Sequence, residues 1–132
     1  MTPYLLDTNT ISHALRGHPA VLARLTAVPM ASLKISVISE AELRFGLARR
    51  PDAVRLHKLV EEFLQRVEVL DWDRECAACY SRLRADLSLR GKTVAAMVLL
   101  IATHAVVTRA VLVTNDRAFA QCDVLTLEDW TA

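Results

Sequence analysis

Acidic residues follow several short apolar runs of this sequence, where a parallel sheet would gather them. Asp7 follows "YLL", Asp116 follows "VLVTN", and Glu42 is predicted in the first helical turn after "KISVIS". Asp71 and Asp73 follow "VEVL". Ligands of parallel sheets bind beyond the carboxyl ends of the strands. Converging carboxylates suit a hard cation such as Mg²⁺ or Mn²⁺, and such cations support phosphodiester cleavage.

Each acid also has a purely structural interpretation. Asp7 and Asp73 could be the N-caps of the helices that follow them. Ser39 and Glu42 have capping-box spacing, and Asp116 in "TNDRAF" suits a turn. For any single residue, capping or turn formation is the more common role. Three acids at the ends of strands predicted to be neighbours favour a shared site.

Strands and helices alternate along the chain. The apolar runs of strand length are 3–6, 33–37, 67–70, 110–114 and 123–127, and helical spacing covers 8–16, 19–27, 39–48, 52–65, 73–89 and 94–108. This alternation predicts a parallel sheet covered on both faces. We expect a single domain over 1–132, a three-layer α/β/α sandwich with a central parallel sheet of about five strands.

Composition excludes several classes of protein. A hydrophobic content of 53% argues against disorder. The net charge of +1 gives no global attraction to nucleic acid, so RNA binding would need a local basic patch. The uncharged run 93–107 is shorter than the roughly 20 residues that span a bilayer, and from the residues of "MTPYLLDTNT" we expect no secretory signal. We therefore expect a cytoplasmic protein with no membrane contact.

Two short motifs have competing interpretations. Cys76 and Cys79 form a Cys-x-x-Cys that could be a redox pair or half a metal site, but its flanks are helical and no second pair exists. Reduced thiols on a helix are the preferred interpretation. "RGKT" (90–93) resembles the end of a phosphate-binding loop, but Asp86 replaces the required glycine and the segment follows a helix rather than a strand.

Five blocks together resemble the PIN-domain ribonuclease toxins of the VapC type. They are "LLDTN" (5–9), "EAELRFG" (40–46), "RGKTVAAMVLLIATHA" (90–105), "LVTNDRAF" (112–119) and "LEDW" (127–130). The resemblance covers nearly the whole chain, in the family's order and spacing. It implies an α/β/α fold and an Mg²⁺- or Mn²⁺-dependent endoribonuclease that cuts RNA, such as tRNA or mRNA, and inhibits translation. It also implies a cognate VapB-type antitoxin, a homodimer, and operator DNA binding only through the antitoxin.

The resemblance assigns roles to individual residues. Its first, second and fourth acids fall on Asp7, Glu42 and Asp116, which are the expected catalytic and metal-binding residues. Asn9, Thr114 and Asn115 are the expected supporting polar residues. Asp71 and Asp73 match none of the family's acids.

The third acid of the family pattern is missing. Counting back from "IATHA" places it at position 98, where this chain has Val98 between the apolar Met97 and Leu99. Because valine cannot bind a metal ion, we expect a folded protein with weakened metal binding and severely reduced nuclease activity. Natural loss of catalysis and deliberate inactivation of a toxic enzyme would both leave this signature.

Basic residues near the acidic motifs are candidates for contacting RNA phosphates. The candidates are Arg44, Arg49, Arg50, Lys92 and Arg117. These side chains could instead be solvated surface charges or pair with an acidic stretch of the antitoxin. Two alternatives to the nuclease remain at this stage: a non-catalytic PIN-like module that binds antitoxin or RNA, and a receiver-like or nucleotide-binding domain. The latter does not explain Glu42 or "LEDW" and lacks a glycine-rich phosphate loop.

Overall fold

A five-stranded parallel sheet forms the centre of the molecule, which a computed structural model describes over residues 1–132. The strands are β1 (Tyr4–Leu6), β2 (Leu33–Ser36), β3 (Glu68–Leu70), β4 (Val111–Val113) and β5 (Leu127–Glu128). Their order is β3-β2-β1-β4-β5, and every pair is parallel. From β1 the chain adds β2 and β3 on one side and β4 and β5 on the other. The boundary between β1 and β4 is therefore a topological switch point, where a crevice opens at the carboxyl ends of the strands.

Six helices cover the two faces of this sheet. They are α1 (Thr8–Leu15), α2 (Pro19–Ala27), α3 (Val37–Ala48), α4 (Val54–Arg66), α5 (Arg74–Leu89) and α6 (Ala96–Thr108). Short 3-10 turns occupy Met30–Ser32 and Arg117–Gln121. The predicted three-layer α/β/α sandwich with a five-stranded parallel sheet is confirmed.

The core has two halves, one on each face of the sheet. Leu5 belongs to a cluster that includes residues of α5 and α6, whereas the next residue, Leu6, belongs to a cluster with residues of α1 to α4. Successive strand residues point to opposite faces, so an unbroken apolar β1 serves both halves. This explains why the strands have continuous rather than alternating apolar runs.

Helix α6 is buried in the domain, and none of the helices is long and apolar enough to cross a membrane. Its polar residue His104 is 1% exposed, and the Nδ1 atom lies 2.7 Å from the hydroxyl of Ser36 at the end of β2. Burial lowers the pKa of His104, so the ring is held neutral within the core. This pair joins the middle of α6 to the point where β2 becomes α3.

The structure corrects two sequence-based expectations about element ends. The predicted strand 123–127 is wrong for residues 123–126, because the preceding 3-10 turn continues into a tight turn closed by the Leu125 N–H and the Cys122 carbonyl. Leu127 and Glu128 form the strand paired with β4, and the Thr126 carbonyl just before it accepts the Leu112 N–H. The predicted helix 39–48 starts earlier, at Val37.

The cysteine motif is structural. Cys76 and Cys79 are both buried on α5, and all three cysteines are free. Burial raises the pKa of the Cys76 thiol, which disfavours the reactive thiolate. The preferred interpretation, reduced thiols on a helix, is confirmed. Asp73 is the N-cap of α5, because its carboxylate accepts the Cys76 N–H at 3.0 Å.

Candidate active site

The three acids selected from the sequence line one small cavity at the carboxyl edge of the sheet. The cavity has a volume of about 140 Å³, and Asp7, Glu42 and Asp116 form its polar side with Thr8 and Asn9. Its opposite side is apolar and consists of Met97, Val98, Ile101 and Phe119. The acids come from three places in the chain, after β1, within α3 and after β4.

Asp7 is the most deeply buried of these acids, with 4% of its surface exposed. Its carboxylate caps α1 by accepting the Asn9 N–H at 2.6 Å, and it also accepts the Thr114 hydroxyl. Burial raises the pKa of Asp7, the two hydrogen bonds oppose that shift, and the charges of Asp116 and Glu42 add to it. The capping interpretation is therefore confirmed, but this cap also lies among like charges.

Glu42 reaches the cavity from the second turn of α3, not the first. Ser36 caps this helix through the Ile38 N–H, so the proposed capping box of Ser39 and Glu42 is wrong. The Thr8 hydroxyl donates to Oε1 of Glu42 at 2.6 Å and lies 3.1 Å from the Ser39 hydroxyl. Sequence analysis missed Thr8, although its place directly after Asp7 was a usable signal.

Asp116 begins the 3-10 turn that follows β4. Its carboxylate accepts the Ala118 N–H at 2.9 Å, and its own N–H donates to the Thr114 hydroxyl oxygen at 3.0 Å. Thr114, itself 5% exposed, thus connects Asp7 to the backbone of Asp116. The turn interpretation of Asp116 is correct, and the turn is what directs the carboxylate to the cavity. Asn115 is exposed and does not line the cavity.

Val98 faces the three carboxylates from the first turn of α6. The helix begins at Ala96, its N-cap Ala95 makes no side-chain hydrogen bond, and no acidic residue lies in its first turn. A carboxylate at this position would enter the cavity beside free helical N–H groups that favour negative charge. The half-buried valine packs on the core cluster of α5 and α6 instead.

The donor set fits a hard cation by its chemistry but is incomplete as a site. All three acids offer oxygen ligands, and Oε2 of Glu42 and Oδ2 of Asp116 accept no hydrogen bond from the protein. However, no group of three or more ligand-type side chains forms a ready-made metal site. Val98 stands on the side of the cavity where a fourth ligand would close such a set.

The candidate RNA-binding cations have different surroundings. Arg44 is ion-paired with Glu40 and Glu61, both at 2.7 Å, so its charge is largely compensated. Arg117 is exposed beside Asp116 and has no ion pair. Lys92 lines a separate pocket between the C-terminal end of α5 and the start of α6. Arg49 lies over the Phe45 ring, and Arg50 lines a groove that also borders Thr8 and Glu42.

Comparison with known proteins agrees with this fold. The family model described as PIN domain matches residues 4–125, which include every residue of the cavity. The chain therefore belongs to the PIN-domain family, and within it to the ribonuclease toxins of the VapC type.

Relatives and solved structures match over nearly their full lengths. Ribonuclease VapC2 of Rickettsia felis is 31% identical over 96% of this chain and 97% of its own. The tRNA(fMet)-specific endonuclease VapC of Salmonella typhimurium is 32% identical over 98% and 99%. A chain in the crystal structure of DNA-bound VapBC from Salmonella typhimurium superimposes with a TM-score of 0.90 at 32% identity, covering 98% of this chain and 99% of that one. The VapBC2 structure from Rickettsia felis, bound to a promoter DNA fragment, gives 0.88 at 32% with the same coverage.

Proposed function

We propose that this chain has the scaffold of a divalent-metal-dependent endoribonuclease in which the loss of one carboxylate severely reduces catalysis. One observation carries the proposal: Asp7, Glu42 and Asp116 line a common cavity whose apolar side includes Val98. The relatives named as ribonuclease or endonuclease support phosphodiester cleavage in RNA as the reaction.

The side chains of the cavity have distinct roles in this proposal. Asp7, Glu42 and Asp116 would hold Mg²⁺ or Mn²⁺, which when bound supplies charge neutralisation and water activation for hydrolysis. Thr114 fixes Asp7 relative to the turn of Asp116, and Thr8 fixes Glu42. Asn9 lies at the rim, where its side chain is free to orient water. Asn115 is the weakest of the supporting candidates because it lies outside the cavity.

Val98 weakens this site in two ways. It removes one oxygen ligand, and it places an apolar side chain where charge on the scissile phosphate would need compensation. Charge stabilisation by metal ions contributes several kcal/mol in such reactions, and each 1.4 kcal/mol or so is about tenfold in rate. We therefore expect the valine form to be at least about 100-fold slower than a form with the carboxylate restored.

Restoring the carboxylate tests the proposal directly. Val98→Asp should cut a single-stranded RNA or a tRNA in the presence of Mn²⁺ at least about 100-fold faster than the Val98 form. Val98→Asn is the matched control, because it has the shape of aspartate without the charge and should remain slow. Equal rates for the Val98 and Val98→Asp forms would sink the assignment of position 98.

We also propose an antitoxin partner for this chain. The VapBC structures from two organisms are complexes of a toxin with its antitoxin, and both contain DNA. By that similarity we expect a VapB-type antitoxin to bind this chain, a homodimer of the chain to form within the complex, and operator DNA to be contacted through the antitoxin. With RNA as the target, we expect the protein to act in the cytoplasm.

A non-catalytic module is the second candidate, and Val98 is the observation that favours it. A domain that only binds RNA or antitoxin has no need for cations at the acids. Thermal unfolding with increasing Mn²⁺ separates the two, because a ligand that binds only the folded state raises stability by about 2.7 kcal/mol at 100 times its Kd. A metal-binding scaffold is stabilised by Mn²⁺, more so as Val98→Asp, whereas a module without a cation site is stabilised in neither form.

A further inference from the structure

The segment "RGKT" has a structural role that sequence analysis did not identify. It ends α5: Gly91 has a φ of +72°, its N–H donates to the Ser88 carbonyl at 3.0 Å, and the Lys92 N–H donates to the Leu87 carbonyl at 2.9 Å. This is a glycine-dependent helix C-terminus. The turn directs Lys92 and Thr93 back over the last turns of α5.

Those residues form a polar pocket with α5. The pocket has a volume of about 180 Å³, and its polar lining is Arg84, Ser88, Lys92 and Thr93 above the apolar Leu87, Val94 and Leu99. Arg84 and Ser88 are one helical turn apart and therefore share a face of α5. Two cations and two hydroxyls with no carboxylate in the lining are the groups that bind a phosphate.

The charges of this pocket are available to a ligand. The Arg84 guanidinium donates to the Tyr80 hydroxyl at 3.1 Å and has no ion pair. Lys92 Nζ donates to the Gln121 carbonyl at 3.3 Å and lies 3.8 Å from Asp123, but that carboxylate is already bound by Arg90 at 2.9 Å. Arg90 also pairs with Asp86 at 2.6 Å, so the cations Arg84, Arg90 and Lys92 exceed the two carboxylates by one charge, and Arg84 is the cation without an ion pair.

The pocket and the acid cavity lie on two sides of the same helical turn. Met97 and Val98 line the acid cavity, whereas Val94 and Leu99 line the pocket. The two are thus separated by the first turn of α6. A polyanion at the cavity faces three carboxylates that repel it, so its affinity must come from nearby cations. Arg44, on the other side of the cavity, is occupied by two glutamates.

We propose that the pocket of Arg84, Ser88, Lys92 and Thr93 is a phosphate subsite that holds the RNA strand next to the acid cavity. This inference rests on the proposed function, because it takes RNA as the ligand. Arg84 and Lys92 neutralise a phosphate outside the bond to be cut, and the two hydroxyls donate to its oxygens. The subsite fixes the path of the strand across the first turn of α6.

RNA binding as a function of salt tests the subsite without turnover. The probe is a fluorescently labelled single-stranded RNA of about ten nucleotides, titrated with the Val98 protein without divalent cations. Each phosphate contact contributes about 0.7 to the salt slope of log K for single strands. Lys92→Met and Arg84→Met should each lower affinity about fivefold at 0.1 M salt and the slope by about 0.7, and together about 25-fold.

Arg109→Met is the matched control. Arg109 follows the last residue of α6. The substitution therefore removes one positive charge at the opposite end of this helix, about 20 Å from its start. It should leave the affinity and the slope nearly unchanged, and thermal unfolding should show all variants folded. The inference is overturned if Lys92→Met and Arg84→Met keep the parent slope, or if Arg109→Met lowers it equally.

Two further arms identify the ligand. If inorganic phosphate stabilises the protein through Lys92 but the RNA slope does not depend on Lys92, the pocket binds free phosphate and the subsite is overturned. The RNA subsite is also overturned if the variants weaken the binding of a purified antitoxin and leave RNA binding unchanged. Cleavage by Val98→Asp is measured separately: inactive Val98→Asp with a Lys92-dependent RNA slope rejects the nuclease and retains the subsite. If Val98→Asp is active and the RNA slope does not depend on Lys92, the nuclease is retained and the subsite is rejected.

Discussion

Asp7 carries two demands that conflict in the absence of a cation. Its hydrogen bonds with the Asn9 N–H and the Thr114 hydroxyl favour the ionised carboxylate, whereas burial beside two other acids favours the protonated form. At this site fold and function share one residue. The cap interpretation from sequence is confirmed for Asp7, and the same carboxylate lines the cavity proposed as the active site.

The raised pKa of Asp7 predicts a specific dependence of stability on pH. Because the folded state binds this proton more tightly than the unfolded chain does, Asp7 contributes stability below the unfolded value of 3.8 and loses it as pH rises through the folded pKa. Asp7→Asn removes that loss. The variant should gain stability relative to the parent as pH rises from 4 to 7, measured by urea unfolding at a series of pH values.

Asp129→Asn is a control of opposite sign. The Thr131 hydroxyl and N–H lower the pKa of Asp129, so its stability contribution is present above the unfolded value and lost in acid. That variant should lose stability relative to the parent as pH rises toward 4, and its curve should run nearly parallel to the parent from pH 4 to 7. Parallel pH curves for Asp7→Asn and the parent would contradict the electrostatic account of Asp7.

At the scale of elements, Ser36 connects three parts of the fold. Its hydroxyl oxygen accepts the Ile38 N–H at 3.0 Å as the N-cap of α3, and it lies 2.7 Å from Nδ1 of His104 in α6. Helix α3 carries Glu42 and α6 carries Val98. The Ser36 hydroxyl therefore fixes the relative position of the two helices that border the cavity. Sequence analysis named neither Ser36 nor His104.

Ser36→Ala should destabilise the protein by about 2–4 kcal/mol. The loss combines an N-cap, about 1 kcal/mol, with a buried imidazole nitrogen left without a partner, about 1–3 kcal/mol. Urea unfolding measures it. The control is Ser81→Ala on the exposed face of α5, where the hydroxyl bonds only to the backbone within its own helix, and little change is expected. An equally mild effect at Ser36 would show that the cap and the buried pair are dispensable.

Elements whose signals are local were predictable, and those that depend on packing were not. Asp7 and Asp116 follow apolar runs that become β1 and β4, and strand order brings them together. The stretch 123–126 has the same apolar character but forms a turn, because the preceding 3-10 turn leaves only Leu127 and Glu128 in register with β4. Thr8 contacts Glu42 only because α1 packs on α3, which no local pattern encodes.

At the scale of the whole molecule, the C-terminal segment that contains β5 and Trp130 contacts both β1 and α2. Trp130 is 1% exposed, its ring lies 5.3 Å from Tyr4, and Arg24 stands 5.2 Å over it. Its indole N–H donates to Glu128, which is also the ion-pair partner of Arg24. The family block "LEDW" thus forms a cluster of contacts, called the clasp below, that joins the first strand, the last strand and α2.

Trp130→Ala should therefore destabilise the entire domain rather than fray one end. Truncation of a buried tryptophan costs about 3–5 kcal/mol, and Trp130→Phe should cost less because the aromatic contact with Tyr4 is kept. Thermal unfolding followed by far-UV and near-UV circular dichroism measures both. If Trp130→Ala loses near-UV signal while its main unfolding transition stays at the parent temperature, the clasp is only local.

The central position of β1 has a consequence for the order in which the protein is made. Asp7 and Thr114, which bond to each other across the sheet, are 107 residues apart in the chain. A ribosome adds about 5–20 residues per second, so the first carboxylate is synthesised roughly 5–20 s before its partner. During that interval β1 has no β4 beside it and the acid cavity does not exist. A chain of this topology therefore has no complete acid cavity until nearly its whole length has been made.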